Sequence, residues 1–412
     1  MPDSAAVRLR VAFDGRSLTA PAPRGWDRYI IGLVRELGRQ GVEVTLFHRA
    51  SEPLHPSHLA RLTCRVTGLA DRGGLHWEQI AVPRELRRGG FDLFHAAAER
   101  GVPLPAPCPV VFTIHSATTS SYQRLIREGL LPGQLSDYLG PAVQSRPRRL
   151  LLDFYHRMQV RRADHILTPS EFSRGELIEL MGISPGRVTT TPLAVDSVFQ
   201  EAPSAPAARA ATLAGLGISR PFLLYVGGYE RHKNVTGLIE MFRLVRDRRP
   251  DVSLVMVGTT RVADEALRCA AELGADARRR IVFLVDVSEE LKDLYDEAEL
   301  LVTMSWRESF CLPALEAMTR GLRVVASRWG AGPEVIGDGG CLIDPRDAPA
   351  ACDVILKMLT SADRSRESDR ARRAASAFSW HTTAHRTIQI YRRLAQSRQM
   401  TAQPANAVKI FR

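Results

Sequence analysis

Two carboxylates, Glu308 and Glu316, flank a short loop and the start of a predicted helix. The loop, Ser309 to Leu312, follows an apolar run typical of a buried strand, and Pro313 is typical of a first helical turn. Free backbone amides at such a helix start bind phosphate. The spacing puts Glu308 in the loop and Glu316 about one turn into the helix, so the carboxylates would flank an anionic ligand from different directions.

A second stretch suited to phosphate chemistry is the loop from Gly227 to Asn234, which follows an apolar strand and opens a helix. Gly228 permits a ligand to approach the backbone closely. Arg231 and Lys233 can neutralise the charge of a diphosphate. Taken alone, this stretch also fits an ordinary solvated loop between a strand and a helix.

Two positions in the first half of the chain also follow predicted strands. Gly25 and Trp26 lie between the first strand and the first helix, where a glycine lets a phosphate or sugar rest against the backbone, or simply serves the turn. His115 ends an apolar strand and is either a binding or catalytic histidine or a buried structural one. The carboxyl ends of parallel strands line the ligand crevice of α/β sheets, which favours the functional interpretation of the set.

Apolar runs that alternate with helical patterns predict two α/β halves. The predicted strands are residues 7–14, 41–47, 91–95, 110–115 and 165–170, then residues 221–226, 252–257, 281–285, 300–303 and 322–326. An Ala- and Pro-rich stretch, residues 203–217, predicts a linker between the halves. Since 412 residues exceed one ordinary core, we predict two doubly wound, Rossmann-like domains that face a cleft.

The chain carries a net charge of +11, which indicates an anionic partner: nucleic acid, anionic lipid or a phosphorylated small molecule. Because its arginines are scattered and no RNA-reading or zinc-finger motif occurs, nucleic acid is not expected. Clustered arginines between Arg146 and Arg162 fit a solvated helix face, with peripheral contact with an anionic membrane as the second hypothesis. Six widely spaced cysteines and the lack of a long apolar run predict a cytoplasmic chain. Peripheral membrane contact would bring this chain to the inner face of the cytoplasmic membrane.

Several cofactor motifs are missing from the sequence. No Gly-x-Gly-x-x-Gly follows a strand, no P-loop occurs, and no Asp-x-Asp pair or zinc spacing is present. We therefore expect no cofactor and no metal, so that amides, helix dipoles and basic side chains meet the phosphate charge.

Taken together, these stretches resemble the family 4 retaining glycosyltransferases of GT-B fold, with mannosyltransferases as the nearest type. The matching stretches are, in chain order, Gly25–Tyr29, Trp77–Gln79, Thr113–His115, Ala163–Asp164, Pro169–Ser173, Tyr225–Gly228, Lys233–Asn234, Glu308–Glu316 and Pro333–Val335. The spacing of the two glutamates is a weak signal alone, but the ordered set spans nearly the whole chain.

The resemblance implies a division of labour along the chain. Residues 1–202 would form the acceptor-binding domain, and residues 218–378 would hold a nucleotide-diphosphate sugar, UDP- or GDP-linked. Residues 379–396 would be a closing helix that crosses back to the N-terminal domain, followed by a polar tail at residues 397–412. A retaining, metal-independent hexosyltransferase of cell-surface polysaccharide synthesis, acting on a glycan or lipid-linked acceptor, is the implied function.

The resemblance also implies roles for individual residues. Glu316 would bind the nucleotide ribose and Glu308 the donor sugar, while Lys233 with Arg231 would stabilise the leaving diphosphate. His115 would join Glu308, Lys233 and Arg231 as a catalytic residue and close the site from the N-terminal side. The remaining donor-binding residues would be Gly25 and Trp26 on that side, and Gly228, Ser309, Phe310, Cys311 and Leu312 on the other, with Asp286 and Val287 near the base.

The chain departs from the family pattern at four positions. Ser309 and Cys311 replace glycines, His232 replaces an arginine, and Ser116 replaces the acidic residue that often follows the histidine. These departures fit an unusual donor, a slower enzyme or lost activity. The alternative to an active transferase is therefore a catalytically impaired GT-B protein that binds nucleotide or glycan within an assembly.

Overall fold

The computed structural model describes residues 8–20, 24–97, 100–139, 145–258, 262–285 and 287–402. It contains two all-parallel sheets, and their strands lie in separate halves of the chain. The N-terminal sheet has the order β3-β2-β1-β4-β5-β6-β7, and the C-terminal sheet has the order β10-β9-β8-β11-β12-β13. The strands are β1 (Arg10–Asp14), β2 (Glu43–Arg49), β3 (Arg65–Leu69), β4 (Leu93–Ala96), β5 (Val110–Thr113), β6 (His165–Thr168), β7 (Val188–Thr190), β8 (Phe222–Val226), β9 (Ser253–Gly258), β10 (Ile281–Val285), β11 (Leu300–Thr303), β12 (Val324–Ser327) and β13 (Cys341–Ile343).

Helices connect the strands and cover the faces of both sheets. They are α1 (Gly25–Arg39), α2 (Pro56–Leu59), α3 (Gly74–His76), α4 (Val82–Gly89), α5 (Thr118–Arg127), α6 (Arg146–Arg162), α7 (Glu171–Met181), α8 (Pro206–Gly215), α9 (Val235–Arg248), α10 (Asp264–Glu272), α11 (Ala275–Arg278), α12 (Leu291–Glu297), α13 (Leu312–Arg320), α14 (Gly332–Ile336), α15 (Ala348–Leu359), α16 (Arg364–Ala375) and α17 (Trp380–Ala402). A π-helical turn, Trp77–Ala81, joins α3 to α4. The predicted fold of two Rossmann-like sheets is confirmed.

The central strands are buried along their whole length, as both faces of a parallel sheet require. Every residue of β4, β5, β6, β9, β11 and β12 is buried. These are the apolar runs that the sequence analysis identified. The sheets therefore form rigid platforms whose carboxyl edges carry the loops that hold the candidate site.

The last helix returns to the N-terminal domain. The Trp380 indole packs on α1 at Gly32, where an added Cβ would lie 2.2 Å from Trp380 Cε2. Trp380 Nε1 donates to the Val195 carbonyl at 3.1 Å, and Tyr391 hydrogen bonds to His95 at 2.5 Å. The predicted closing helix is confirmed, and it ties the end of the chain to the first domain.

The predicted linker has more structure than its composition indicates. Within residues 203–217, Pro206–Gly215 is helical and packs near α12, where Thr212 Oγ1 donates to Asp293 Oδ2 at 2.8 Å. Leu213 and Ile218 are buried. Alanine is the strongest helix former, so the Ala-rich stretch continues as a helix once Pro206 has started it.

Candidate active site

Glu308 and Lys233 form the centre of the site. Lys233 Nζ lies 2.9 Å and 3.0 Å from the two Glu308 carboxylate oxygens, and Ser305 Oγ donates to Glu308 Oε1 at 2.8 Å. Burial alone would raise the pKa of Glu308, but Lys233, His232 and the hydrogen bonds outweigh it and lower the pKa. Burial would lower the pKa of Lys233, but the Glu308 charge raises it. Both groups are therefore charged at neutral pH.

Glu316 lies on the second turn of α13 and is fully buried. Tyr295 OH donates to its Oε2 at 2.8 Å, and the Arg28 guanidinium of the N-terminal domain forms an ion pair with its Oε1. Burial raises the pKa of Glu316, and Arg28 and Tyr295 offset part of that rise. The two carboxylates thus take up different positions, one in the loop and one inside the helix.

Helix α13 begins after a strained residue. Cys311, its N-cap, adopts φ 70° and ψ 54°, a left-handed conformation that costs a non-glycine residue about 1 kcal/mol. Burial raises the pKa of its thiol to about 12, so the sulfur stays protonated. No described residue accepts a hydrogen bond from the amides of Phe310, Cys311 or Leu312. A helix start with free amides is a suitable place for an anion.

The Ser309 loop touches the opposite domain beside His115. Ser173 Oγ is 3.0 Å from the His115 carbonyl and 3.4 Å from the Ser309 carbonyl, and Ser170 Oγ donates to the latter at 2.7 Å. These serines belong to the start of α7 and its N-cap. The loop that carries Glu308 is therefore held against the strand end that carries His115.

His115 has a free ring nitrogen. Its Nε2 is buried and has no hydrogen-bond partner among the described residues, and its ring packs edge-on against Tyr29 with centroids 5.2 Å apart. Burial lowers the pKa of His115 to about 4, so the imidazole is neutral at pH 7. A buried polar atom without a partner is costly, and a ligand hydroxyl would satisfy it.

Arg231 does not contact Glu308. Its guanidinium lies 3.5 Å from Asp137 and 5.7 Å from the centroid of the Tyr138 ring, so it faces a loop of the N-terminal domain. In this arrangement Lys233 alone of the predicted cationic pair contacts Glu308.

The remaining predicted residues lie around this centre to different degrees. Gly25 begins α1, and an added Cβ there would meet nothing within 4 Å. Trp26 beside it is 37% exposed. Gly228 follows β8 and its carbonyl accepts from Tyr225 OH at 2.5 Å. Val287 is half-buried, whereas Asp286 lies outside the described residues.

Phe310 and Leu312 belong to the packing that supports the loop. Phe310 is buried and meets Phe378 edge-on with centroids 5.6 Å apart, and Leu312 lies at the start of α13. Their backbone amides, and not their side chains, are therefore the groups available for the predicted donor binding.

Three contacts of the site were missed by sequence reasoning. Arg28, Tyr295 and Ser305 hold the two glutamates, yet none was predicted as a site residue. Arg28 lies inside the Gly25–Tyr29 stretch, so its sequence signal was present. Tyr295 carries no motif and reaches Glu316 only through the packing of α12 on α13.

Chemically, the site offers the fully buried Glu316 carboxylate, the half-buried Glu308 carboxylate, one ammonium group, free amides at a helix start and a neutral histidine. Carboxylates bind hydroxyl groups, and the ammonium and amides bind phosphate. Among the described residues there is no group of three His, Cys, Asp or Glu side chains arranged to hold a metal ion.

Two family profiles match the chain over most of its length. The profile described as glycosyltransferase family 4 matches residues 23–199, and that described as glycosyl transferases group 1 matches residues 220–361. The two matches fall on the two sheets, and the family predicted from the motifs is confirmed.

Individual relatives are similar to different extents. O-antigen chain mannosyltransferase B of Escherichia coli is 36% identical over 235 residues, 56% of this chain and 60% of the relative, so the match spans less than two thirds of that protein. D-inositol 3-phosphate glycosyltransferase of Kineococcus radiotolerans is 28% identical over 426 residues, 91% of each chain. Anabaena HepE, solved with UDP-glucose, superposes with a TM-score of 0.70 at 17% identity over 94% of this chain and all of HepE, which shows a shared fold.

Proposed function

Since the chain belongs to the family 4 glycosyltransferases, we propose that it transfers a hexose from a nucleotide-diphosphate sugar to a glycan or lipid-linked acceptor, with retention at the anomeric carbon. The observation that carries the proposal is the Lys233–Glu308 pair at the start of α13, with buried Glu316 behind it and His115 across the cleft. Each of these groups matches one part of a nucleotide sugar.

The donor would lie along α13. Glu316 binds the ribose hydroxyls after Arg28 leaves it, and the diphosphate rests on Lys233 and the free amides of Phe310 to Leu312. Glu308 and His115 Nε2 contact the sugar hydroxyls. This placement uses three groups. Glu316 and Glu308 now have other side chains as partners, and His115 Nε2 has no described partner.

In the net reaction the bond between the anomeric carbon and the phosphate oxygen breaks, and a bond to the acceptor oxygen forms. The diphosphate leaves with the electron pair, and the acceptor proton balances its charge. Lys233 and the helix amides stabilise the negative charge that develops on the leaving oxygen, so we propose catalysis without a metal ion. Closure of the two domains keeps water from the activated sugar.

Mannose is the favoured hexose, and cell-surface polysaccharide synthesis the favoured process, because the E. coli relative is named as an O-antigen mannosyltransferase. A nucleotide-linked donor is supported by the fold shared with HepE, which was solved with UDP-glucose. GDP-mannose and UDP-glucose are therefore the first donors to test.

A transfer assay tests the function directly. Purified protein is incubated with GDP-mannose or UDP-glucose and a lipid-linked oligosaccharide extract, with and without EDTA, and the product linkage is read by NMR. We expect transfer with retained configuration in EDTA, and its loss in Lys233→Met. Nucleotide binding without transfer from either donor to any acceptor would favour the impaired, nucleotide-binding protein.

We further propose that α6 docks on an anionic membrane. Its outer face exposes Leu150, Leu151 and Phe154 by 59%, 66% and 61%, next to Arg148 and Arg149. Apolar residues beside basic ones are typical of helices that lie in a membrane interface. No helix in the described ranges has the length and apolar content to cross a bilayer, so this contact would be peripheral, on a cytoplasmic protein at the inner face of the membrane.

Vesicle flotation tests the docking. Leu151→Ser with Phe154→Ser should weaken binding to anionic vesicles, whereas Leu75→Ser, at a residue 65% exposed on α3, should not. Neutral vesicles should bind the wild-type protein weakly. Equal partitioning of all three proteins, or of wild type between anionic and neutral vesicles, would refute the proposal.

A further inference from the structure

A cavity lies in the N-terminal domain, beside the chain segment that carries His115. Its volume is about 280 Å³, near the lower end of the roughly 300–1,000 Å³ usual for small-molecule sites. Ile114 and Ser116, the two chain neighbours of His115, belong to its wall, and residues of α6 form another part. The cavity therefore adjoins the histidine that faces the Glu308 loop.

The charge of the cavity is positive. Arg100 and Arg157 line it, and no ion pair joins either of them to a described residue. Asp153 is the one carboxylate among the described lining residues. Ser116, which stands where related sequences often have an acidic residue, adds a hydroxyl and no charge. Two exposed guanidinium groups without carboxylate partners are suited to a phosphate.

The floor of the cavity contains an acceptor atom without a donor. Gln159 is fully buried, its Oε1 has no described partner, and its Nε2 faces Glu78 Oε2 at 3.4 Å. Tyr155 OH, also in the wall, donates to Glu78 Oε2 at 2.6 Å and accepts from Gln79 at 2.7 Å. Gln159 Oε1 is thus held in place to accept a hydrogen bond from a hydroxyl group.

We propose that this cavity is the acceptor site and that the acceptor is a sugar or polyol bearing a phosphate. Arg100 and Arg157 bind the phosphate, Gln159 Oε1 accepts from a hydroxyl, and another hydroxyl faces the donor beside His115. This inference rests on the proposed function, which leaves the acceptor class open. The phosphate belongs either to a soluble sugar phosphate or to a lipid-linked sugar.

Matched ligand pairs test the inference by calorimetry in saturating UDP or GDP. The soluble pair is inositol and D-inositol 3-phosphate. The lipid pair is an alkyl glycoside and the same sugar linked to polyprenyl diphosphate, in one detergent. In at least one pair we expect the phosphorylated member to bind about tenfold more tightly, because it gains charge-assisted hydrogen bonds from the two guanidinium groups. The preferred pair identifies the source of the phosphate.

The preference should disappear in the double variant Arg100→Gln, Arg157→Gln and persist in Arg161→Gln, which alters an exposed arginine of α6 outside the cavity. The double variant should keep the wild-type melting temperature because neither arginine pairs with a described carboxylate. Equal or absent binding of both members in both pairs overturns the inference. Nucleotide binding in the same samples separates the two proposals: its loss counts against the donor site, and its presence confines a failure to the acceptor.

Discussion

Glu316→Gln should weaken nucleotide binding while the fold stays intact. The amide keeps the volume of the buried side chain and can still accept from Tyr295, now at 2.8 Å. It loses the charge that would bind the two ribose hydroxyls. Hydrogen bonds to charged groups contribute about 1.5–3 kcal/mol, so we expect a Kd for UDP or GDP raised about 10- to 100-fold. Isothermal titration calorimetry measures this change.

Glu176→Gln is the matched control. Glu176 pairs with Arg307 across the same domain interface. Their side chains are 9% and 5% exposed, compared with 0% for Glu316 and 24% for Arg28. This variant removes one carboxylate charge from a buried interdomain pair without touching α13, so nucleotide affinity should stay close to wild type. The reasoning fails if Glu316→Gln binds nucleotide like wild type, or if both variants lose affinity equally.

Three further predictions concern the rest of the site. Lys233→Met should lower turnover about 10²- to 10³-fold, which is the usual effect of removing one hydrogen-bond donor that stabilises the transition state, and should lower nucleotide affinity less. Equal losses of turnover and nucleotide affinity would mean that Lys233 contributes to ground-state binding alone. Gly25→Ala should leave the melting temperature unchanged, because an added Cβ meets no described atom, but should lower donor affinity; unchanged donor affinity would remove Gly25 from the site. The free energy of unfolding should fall as the pH is lowered from about 6.5 to 4, because burial holds the pKa of His115 at about 4 and the unfolded chain therefore binds the proton first. His115→Gln should reduce the slope of the free energy of unfolding against pH by up to about 1.4 kcal/mol per pH unit. An unchanged slope would contradict the assignment.

The sequence predicted the central strands and the edge strand β10, but it missed the other three edge strands. The buried strands of both sheets are continuous apolar runs, which is the strongest signal that a parallel sheet leaves in a sequence. The edge strands β3, β7 and β13 were not predicted. β3, Arg65–Leu69, is mostly exposed, and β7 and β13 have three residues each, so no apolar run marks them.

The site was predictable where it is local in the chain. Glu308 in the loop, Pro313 in the first turn and Glu316 inside the helix follow from spacing and helix signals, and these positions are confirmed. The roles assigned to them stay predictions. Partners that come from the other domain or another helix, such as Arg28 and Tyr295, depend on packing that no local pattern encodes.

Arg231 is a residue that the sequence grouped with Lys233 and that does not contact Glu308 in the structure. Its position two residues before Lys233 predicts a shared role, but the short 3-10 turn at Arg231–Lys233 sends the two side chains to different sides. Lys233 turns to Glu308 and Arg231 to Asp137. The order of residues alone does not decide which cation faces the site.

The central claim is that α13 and the Lys233 loop form a nucleotide-sugar site, and ligand-dependent stability tests it most directly. Thermal unfolding is followed with UDP, GDP and ADP, each with and without EDTA. At a hundredfold excess over Kd a bound nucleotide stabilises the protein by about 2.7 kcal/mol. We predict that at least one nucleotide raises the melting temperature equally with and without EDTA; stabilisation by none of the three would contradict the account.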